Sequence, residues 1–298
     1  MRCCKLNIVR AFCSDYGFET EAIDYLSNAY LSLVDNEEAY KIFSGCVAVY
    51  ENNTEFEHEP VFSQIEDLSK TTGINKYTLD LLYLIALTPH LKKLYEQNDI
   101  SLDIYDSSVC DLKWKAKECK AVYGVWGTFV GWWTIGFFKL RRFGIGRLQF
   151  NLKKFSKAMN SGVLSFNEGD IYIDVHIPSS GALNYDECQE SYKLAAEFFK
   201  DYFKGKPIVF GCHSWLLSPD NYQILPADSN VLKFMKDYTI LEEEKDPTNN
   251  NLWRIFNRFD LPQNLQDLPQ NSSLQRAFVK WLSSGNTINV AFGVIIKQ

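Results

Sequence analysis

The chain has 298 residues, more than one small core needs, so its length favours two domains or one large α/β domain with additions. Hydrophobic residues at 46% and charged residues at 23% exclude wholesale disorder. A formal net charge of −6 argues against a general nucleic-acid binder.

The opening, MRCCKLNIVRAFCSDYG, lacks the long apolar run of a signal peptide. The eight cysteines (Cys3, Cys4, Cys13, Cys46, Cys110, Cys119, Cys188 and Cys212) therefore read as reduced thiols of a cytoplasmic protein. They form no CxxC, and the four histidines (His58, His90, His176 and His213) form no HExxH, so no zinc finger and no bound metal are expected. The stretch before Asp111 reads as helices. In EAIDYLSNAYLSLV, Ile23, Leu26, Tyr30, Leu33 and Val34 share one face at helical spacing. NEEAYKIFSGCVAVY opens at Asn36, and VFSQIEDLSKTTG closes at Gly73. TLDLLYLIALTPHLKKLYEQ is helical, with a break or kink expected at Pro89. His90 beside it reads as a capping or packing group.

From Lys113 to Lys157 there are eleven Lys/Arg and one acid, Glu118, a local charge of +10, so the rest of the chain carries −16. Solvated helix faces would explain this; so would attraction for an anionic ligand such as a phosphorylated cofactor. Inside the segment, Ala121 to Phe138 is eighteen residues without a charge, the lower limit for a membrane span. Gly124, Gly127, Gly131 and Gly136 interrupt it, and its aromatics run throughout instead of forming two terminal belts. The expectation is a helix buried in protein, with Gly127 and Gly131 as a close-packing pair and a membrane anchor as the weaker alternative.

The second half changes period. GRLQFNLKKF (146–155) and DIYIDVHI (170–177) read as strands, with a turn at Asn167 to Asp170. Pro178-Ser179-Ser180-Gly181 leads to a helix capped by Asn184, with Tyr192, Ala196, Phe199 and Phe203 as its buried stripe. PIVFGC (207–212) is a short apolar run of the kind found in buried parallel strands. DSNVLKFMKDY is a helix capped by Asp228 or Ser229, Thr239 to Leu241 a short strand, Leu274 to Leu282 a helix, and TINVAFGVII (287–296) a closing strand. The domain boundary falls between Asp111 and Gly124, giving a helical N-terminal domain of residues 1–120 and a mixed α/β domain of residues 121–298.

The run from Asp111 through Trp114, the glycine-aromatic segment, and the strings GRLQF, VHIP, CHSWLL and LPADSN together resemble a bacterial family of acyltransferase-domain proteins. The resemblance implies an α+β, mixed α/β chain: an all-helical N-terminal domain followed by a GNAT-like mixed-sheet domain. It also implies that a loop before a helix N-terminus binds the pyrophosphate of an acyl-CoA, such as acetyl-CoA, through backbone N–H groups. Two parallel strands would splay apart to take the thioester, and an amine of a small molecule or peptide would attack it. No nucleic acid or membrane is implied as a partner.

Two segments compete for the pyrophosphate loop. Arg141-Arg142-Phe143-Gly144-Ile145-Gly146 matches RxxGxG, but a helix precedes it and a strand follows, the reverse of what the motif needs. Pro178 to Asn184 is better placed, and Ser179, Ser180, Gly181, Ala182 and Asn184 are its candidate cofactor-binding residues. It has no basic residue, so Arg141, Arg142 or Arg147 would supply charge from a neighbouring segment. His176 and His213 close two predicted parallel strands, where open α/β sheets place ligands, and either suits a general base; the alternative is that each bonds to backbone inside the sheet. The GNAT tyrosine that protonates the departing thiolate is missing at its usual helix: Phe234 stands inside, Tyr238 comes at the end, and Tyr222 in the preceding loop is the substitute. Cys212 and His213, adjacent in a strand, point to opposite faces and form no dyad. Trp215 reads as a cleft wall or core residue. The leading function is acyl-CoA-dependent acylation of an amine. The incomplete loop keeps open a non-catalytic ligand-binding or protein-interaction module that retained the fold.

Overall fold

The computed structural model describes residues 2–297, with side chains from residue 8 onward, so the side chains of Cys3 and Cys4 lie outside the described residues. The chain forms two compact units, Met1–Gly144 and Ile145–Gln298.

The first unit is helical: α1 (Arg2–Asp15), α2 (Thr20–Asp35), α3 (Glu37–Asn52), α4 (His58–Thr72), α5 (Lys76–Gln97), α6 (Leu102–Val109), α7 (Asp111–Tyr123) and α8 (Gly131–Phe138). The capping signals act as read. Asn36 Oδ1 accepts from Ala39 N at the start of α3, and Gly73 ends α4 at φ 73°. Helix α5 is apolar on all sides, from Leu79 through Leu82, Leu84, Ile85 and Leu87, and the other seven helices pack against it or against its neighbours. The expected break at Pro89 does not occur: α5 runs through it. The carbonyl that Pro89 cannot pair with, that of Ile85, instead accepts Thr88 Oγ1 at 2.8 Å. His90 packs edge-on against Tyr50, with ring centroids 5.2 Å apart.

Ala121 to Phe138 is buried at Trp126 to Thr128 and over much of Gly131 to Phe138, exposed at Ala121, Tyr123, Gly124 and Trp132, and is not one helix. Helix α7 stops at Tyr123 because Gly124 turns left-handed at φ 75°, and residues 125–130 lie as a loop along the first turn of α5. Thr128 N donates to Tyr77 O at 2.8 Å. A Cβ on Gly127 would lie 2.4 Å from the Tyr77 carbonyl carbon and 2.6 Å from Thr78 N, so this glycine permits backbone to pack on backbone. Gly127 and Gly131 therefore do not form a pair on one helix. Among the described residues no helix is long and apolar enough to cross a membrane. Because α8 packs on α4 and α5, residues 121–144 belong to the helical unit, and the division between units lies later than the expected 120/121 boundary.

Strand β1 (Phe143–Ile145) straddles the division. The second unit continues with β2 (Leu148–Lys154), a small hairpin of β3 (Met159–Asn160) and β4 (Ser165–Phe166), β5 (Ile171–His176), α9 (Tyr185–Phe203) and β6 (Ile208–Ser214). Then come α10 (Asn221–Ile224), α11 (Asn230–Met235), β7 (Thr239–Glu244), α12 (Leu252–Phe256), α13 (Ser273–Ser283) and β8 (Val290–Lys297). The sheet runs β2-β5-β6-β8-β7; β5 and β6 are parallel and the other neighbours antiparallel. Helix α9 covers one face with Cys188, Tyr192, Ala195, Phe199 and Phe203; Ala195 takes the buried place expected of Ala196. Tyr192 meets Phe210 at 5.1 Å between ring centroids. On the other face Phe155, Phe166, Tyr172 and Val294 cluster. Gly211 makes room there, since a Cβ would lie 2.6 Å from the Tyr172 ring.

Gly127→Ala is expected to destabilise the chain by about 1–3 kcal/mol or more, because the Cβ meets backbone that cannot move aside. Gly45→Ala, in the middle of α3 with nothing within 4 Å of the new Cβ, is expected to stabilise it by about 0.5–1 kcal/mol. Urea unfolding of both variants checks the contrast.

Candidate active site

The sheet places polar residues on the face opposite α9. In the antiparallel pair β2–β5, Asn151 stands directly across from Asp174 and Gln149 across from His176. Residues two apart in a strand share a face, so Asn151, Lys153, Asp174 and His176 converge. Asp174 is buried, at 3% relative exposure. Its Oδ2 lies 2.8 Å from Lys153 Nζ and 3.1 Å from His176 Nε2. Burial raises the carboxyl pKa; the His176 hydrogen bond and charge, with Lys153, outweigh this and hold it below the usual aspartate value.

His176 Nε2 also lies 2.6 Å from Asn151 Oδ1, and Asn151 Nδ2 donates to Leu152 O at 3.4 Å, which orients the amide. Both groups facing Nε2 are acceptors, so Nε2 carries the ring proton and Nδ1 is the basic nitrogen of the neutral imidazole. This is the arrangement in which a buried carboxylate sets a histidine's tautomer and stabilises its protonated form.

Strands β5 and β6 pair at Ile173–Phe210 and Asp174–Gly211, and the pairing stops before His176 and His213. Continuing that register puts both histidines on one face, where the parallel strands part. His213 is exposed and lies with Nε2 3.2 Å from Glu244 Oε2 on β7. Its acidic neighbour is Glu244 where that of His176 is Asp174, so the two histidines have different settings. Cys212 points to the opposite side, is buried, and its thiol pKa is pushed up, first by burial. Tyr222 is on α10 at 56% exposure. Tyr238 is buried, with its hydroxyl 2.6 Å from that of Tyr192, and Phe234 is buried beside it. Trp215 is a core residue packed edge-on to Phe278.

The Pro178–Asn184 segment joins β5 to α9. Gly181 has φ 107°, a conformation only glycine adopts readily, and open space around the missing Cβ. Arg147 braces this loop: Nε donates to Ala182 O at 3.1 Å, Nη1 to Pro178 O at 3.2 Å and Nη2 to Gly181 O at 2.9 Å. Arg147 is held in turn by its backbone N–H on Ser191 Oγ at 2.7 Å. A Cβ on Gly146 would come 2.6 Å from that same oxygen. A cleft of about 400 Å³ beside the loop is lined by Gly146, Arg147, Ser180, Glu187, Glu190 and Ser191.

These residues fit a pyrophosphate at the loop, not at the helix end. Asn184 Oδ1 already accepts from Asp186 N and Glu187 N, and both of those side chains are acidic. The exposed part is the loop from Ser179 to Ala182, with the Arg147 charge behind it.

Arg141 and Arg142, expected to supply that charge, belong to the helical unit. Arg141 pairs with Glu55, and Arg142 Nη1 donates to Trp133 O at 2.6 Å with its guanidinium 3.9 Å from the Trp133 ring centre. RxxGxG is split between β1 and the turn into β2, with no helix after it. Much of the basic segment is locally neutralised, by Glu118, Glu19 and Glu21 for Lys115, Lys117 and Lys120, and by Glu242 for Lys157. Sequence reasoning missed Asn151, Lys153 and Asp174. Their signal was a charged residue two before His176 in an otherwise apolar strand. Among the described residues no group of three His, Cys, Asp or Glu could hold a metal ion.

Residues 142–295 match the GNAT-like C-terminal domain, and residues 8–140 match the N-acyltransferase N-terminal domain. The chain is also similar to solved acyltransferase structures. One in complex with decanoyl-CoA and teicoplanin is 19% identical, with 97% of this chain and 87% of that one covered and a TM-score of 0.70. Another, in complex with decanoyl-CoA, is 20% identical over 96% and 86%, also at 0.70. A third, in complex with CoA and 10C-teicoplanin, is 20% identical over 93% and 88%, at 0.66. At these identities the likeness shows the fold: a helical N-terminal region followed by a mixed-sheet GNAT-like domain. No curated protein matches the sequence at a significant level.

A depressed carboxyl contributes stability above the ordinary aspartate pKa, and this is lost as pH falls through the lower folded value. Asp174→Asn is therefore expected to flatten the loss of stability below about pH 4. At neutral pH it is expected to cost about 1–3 kcal/mol, since Lys153 and His176 lose a charged partner. Melting curves across pH check both.

Proposed function

The chain belongs to the family that joins an N-acyltransferase N-terminal domain to a GNAT-like C-terminal domain, and on that premise we propose that it transfers an acyl group from an acyl-CoA to an amine of a small molecule or peptide. The observation that carries the chemistry is His176 at the end of β5, its Nε2 fixed by Asn151 and Asp174 where β5 and β6 cease to pair. Solved structures of the same fold were crystallised with decanoyl-CoA, with CoA, and with teicoplanin, which supports an acyl-CoA donor and an acceptor of the small-molecule or peptide kind. The family match does not favour the non-catalytic alternative.

Acyl-CoA, when bound, supplies a thioester carbonyl carbon activated towards an amine. The chain's residues bind and move protons around it. The Ser179–Ala182 loop, stiffened by Arg147, receives the pyrophosphate through its backbone N–H groups and serine hydroxyls. His176 Nδ1 takes the proton that the amine nitrogen loses as it bonds to carbon. Asp174 stabilises the imidazolium so formed, as its buried charge does not have to reorganise. His213, beyond the last β5–β6 pair, positions the acceptor, and Tyr222 is the candidate donor of a proton to the departing thiolate. The same proposal keeps the cytoplasmic location that the scattered cysteines of the sequence, read as reduced thiols, lead to.

His176→Gln is expected to lower turnover by about 10²–10⁴-fold, more than its loss of about 1–3 kcal/mol of stability at the buried Asp174 explains in a protein still folded at the assay temperature, while His213→Gln raises KM for the amine more than it lowers kcat. Calorimetry with acetyl-CoA and decanoyl-CoA, followed by an amine-acceptor screen, tests the reading. No binding of any acyl-CoA by the folded protein would sink it.

A further inference from the structure

The helical unit contains a second cleft, of about 580 Å³, where the start of α5 meets α4 and α8. Its walls are aromatic: Phe62 from α4, Phe129 from the loop, and Trp132 from α8, which is 62% exposed. At its base is Asp80 of α5, only 5% exposed. Among the described residues Asp80 Oδ1 has no hydrogen-bond partner. A buried carboxylate without a partner is costly and is ordinarily neutralised, paired or used. Gly131 brings the walls together over it: a Cβ there would lie 2.9 Å from the Phe62 ring and 3.7 Å from Asp80 Cβ.

We propose that this cleft binds an organic ammonium ion, with the Asp80 carboxylate as its counter-charge and Phe62, Phe129 and Trp132 as its aromatic walls. A cation over aromatic faces is attracted by the ring quadrupoles, and a nearby carboxylate adds a direct charge pair. The rim has the matching sign. Glu59 lines it, and Glu66 lines it paired with Lys76 at 2.9 Å and with Lys70 at 3.9 Å. An anionic ligand would meet the carboxylates of Glu59 and Asp80, with no lysine of the lining left unpaired to hold it. The volume suits a small molecule with an apolar body, within the usual range of about 300–1,000 Å³ for ligand sites.

Burial, with the Glu66 charge adding and Lys76 opposing, raises the Asp80 pKa to about 7, so the counter-charge is itself switched near neutrality. His58, Glu59 and Glu66 face it from α4 and Lys76 from its own helix. From α7 the facing group is Cys119, whose thiol is pushed up to about 12, first by burial, and stays neutral; α8 carries no titratable group.

The probe is benzyltrimethylammonium, which has no N–H to acylate and no titratable group, so the outcome is independent of the acyl-transfer reading. Calorimetry with the full chain is expected to show saturable binding, with benzyl alcohol, a neutral analogue, weaker by about tenfold or more. Binding is expected to weaken as pH falls from about 8 to 6, as Asp80 takes up a proton. Asp80→Asn should weaken binding by at least about tenfold and abolish the pH dependence, whereas His58→Gln keeps it. Trp132→Ala, on an exposed side chain, should weaken binding without lowering the melting temperature. Absence of saturable binding, equal affinity for benzyl alcohol, or wild-type affinity in Asp80→Asn would overturn the proposal. If Asp80→Asn fails to fold, the Trp132→Ala, pH and benzyl alcohol results decide it.

Discussion

The second unit is organised around a carboxylate that the sheet buries. Asp174 sits in the middle strand of β2-β5-β6, on a face otherwise filled by Tyr172, Phe292 and Val294, and a charge there needs partners. The antiparallel register of β2 supplies Lys153 and, through His176, Asn151; the strand's own alternation supplies His176. The parallel pairing on the other side ends at Asp174–Gly211, so the histidine that satisfies Asp174 stands where the sheet opens. A packing requirement and a catalytic requirement are thus met by the same atoms. The imidazole has its tautomer fixed by the need to neutralise a buried charge.

Arg147 shows the same economy. A guanidinium near a proposed phosphate site would ordinarily be read as the phosphate ligand. Here each of its three nitrogens donates to a carbonyl of the Pro178–Ala182 loop, and burial lowers its pKa from the usual arginine value. Those carbonyls would otherwise repel an anion. Turning them towards Arg147 stiffens the loop and occupies their negative ends. The work of the arginine is mainly on the backbone.

The helical unit depends on α5, whose apolar surface on every side makes it the centre about which the other helices pack. That makes Asp80 conspicuous. Asp174 has a lysine and a histidine and is held ionised; Asp80 lacks a partner at Oδ1 and is pushed up to about 7. The neighbours of two buried aspartates in one chain thus shift them in opposite directions. Asp174 has Lys153 at 2.8 Å and His176 at 3.1 Å within its own sheet, whereas the cleft over Asp80 is open to a cation.

The helical first half, the β5–loop–α9–β6 order, the caps at Asn36, Gly73 and Asn184, a cap at Asp228 or Ser229, and the positions of His176 and His213 near strand ends were legible in the sequence. All depend on local periodicity or on side chains that bond within a few residues of themselves. The Ala121–Phe138 stretch was misread as one helix, since composition reports burial but not that Gly127 must lie on the Tyr77 backbone. Of the break or kink expected at Pro89, the break does not occur, since Thr88 satisfies the orphaned carbonyl one turn back. The pairings that give the residues their chemistry were decided by tertiary structure alone. Asn151 faces Asp174 only because β2 pairs in one register and not its neighbour, and a shift of one residue would turn Lys153 away from it. Arg147 reaches the loop because Ser191 of α9 holds the Gly146–Arg147 turn. Such contacts span tens of residues of chain, and no local pattern encodes the distance between their ends.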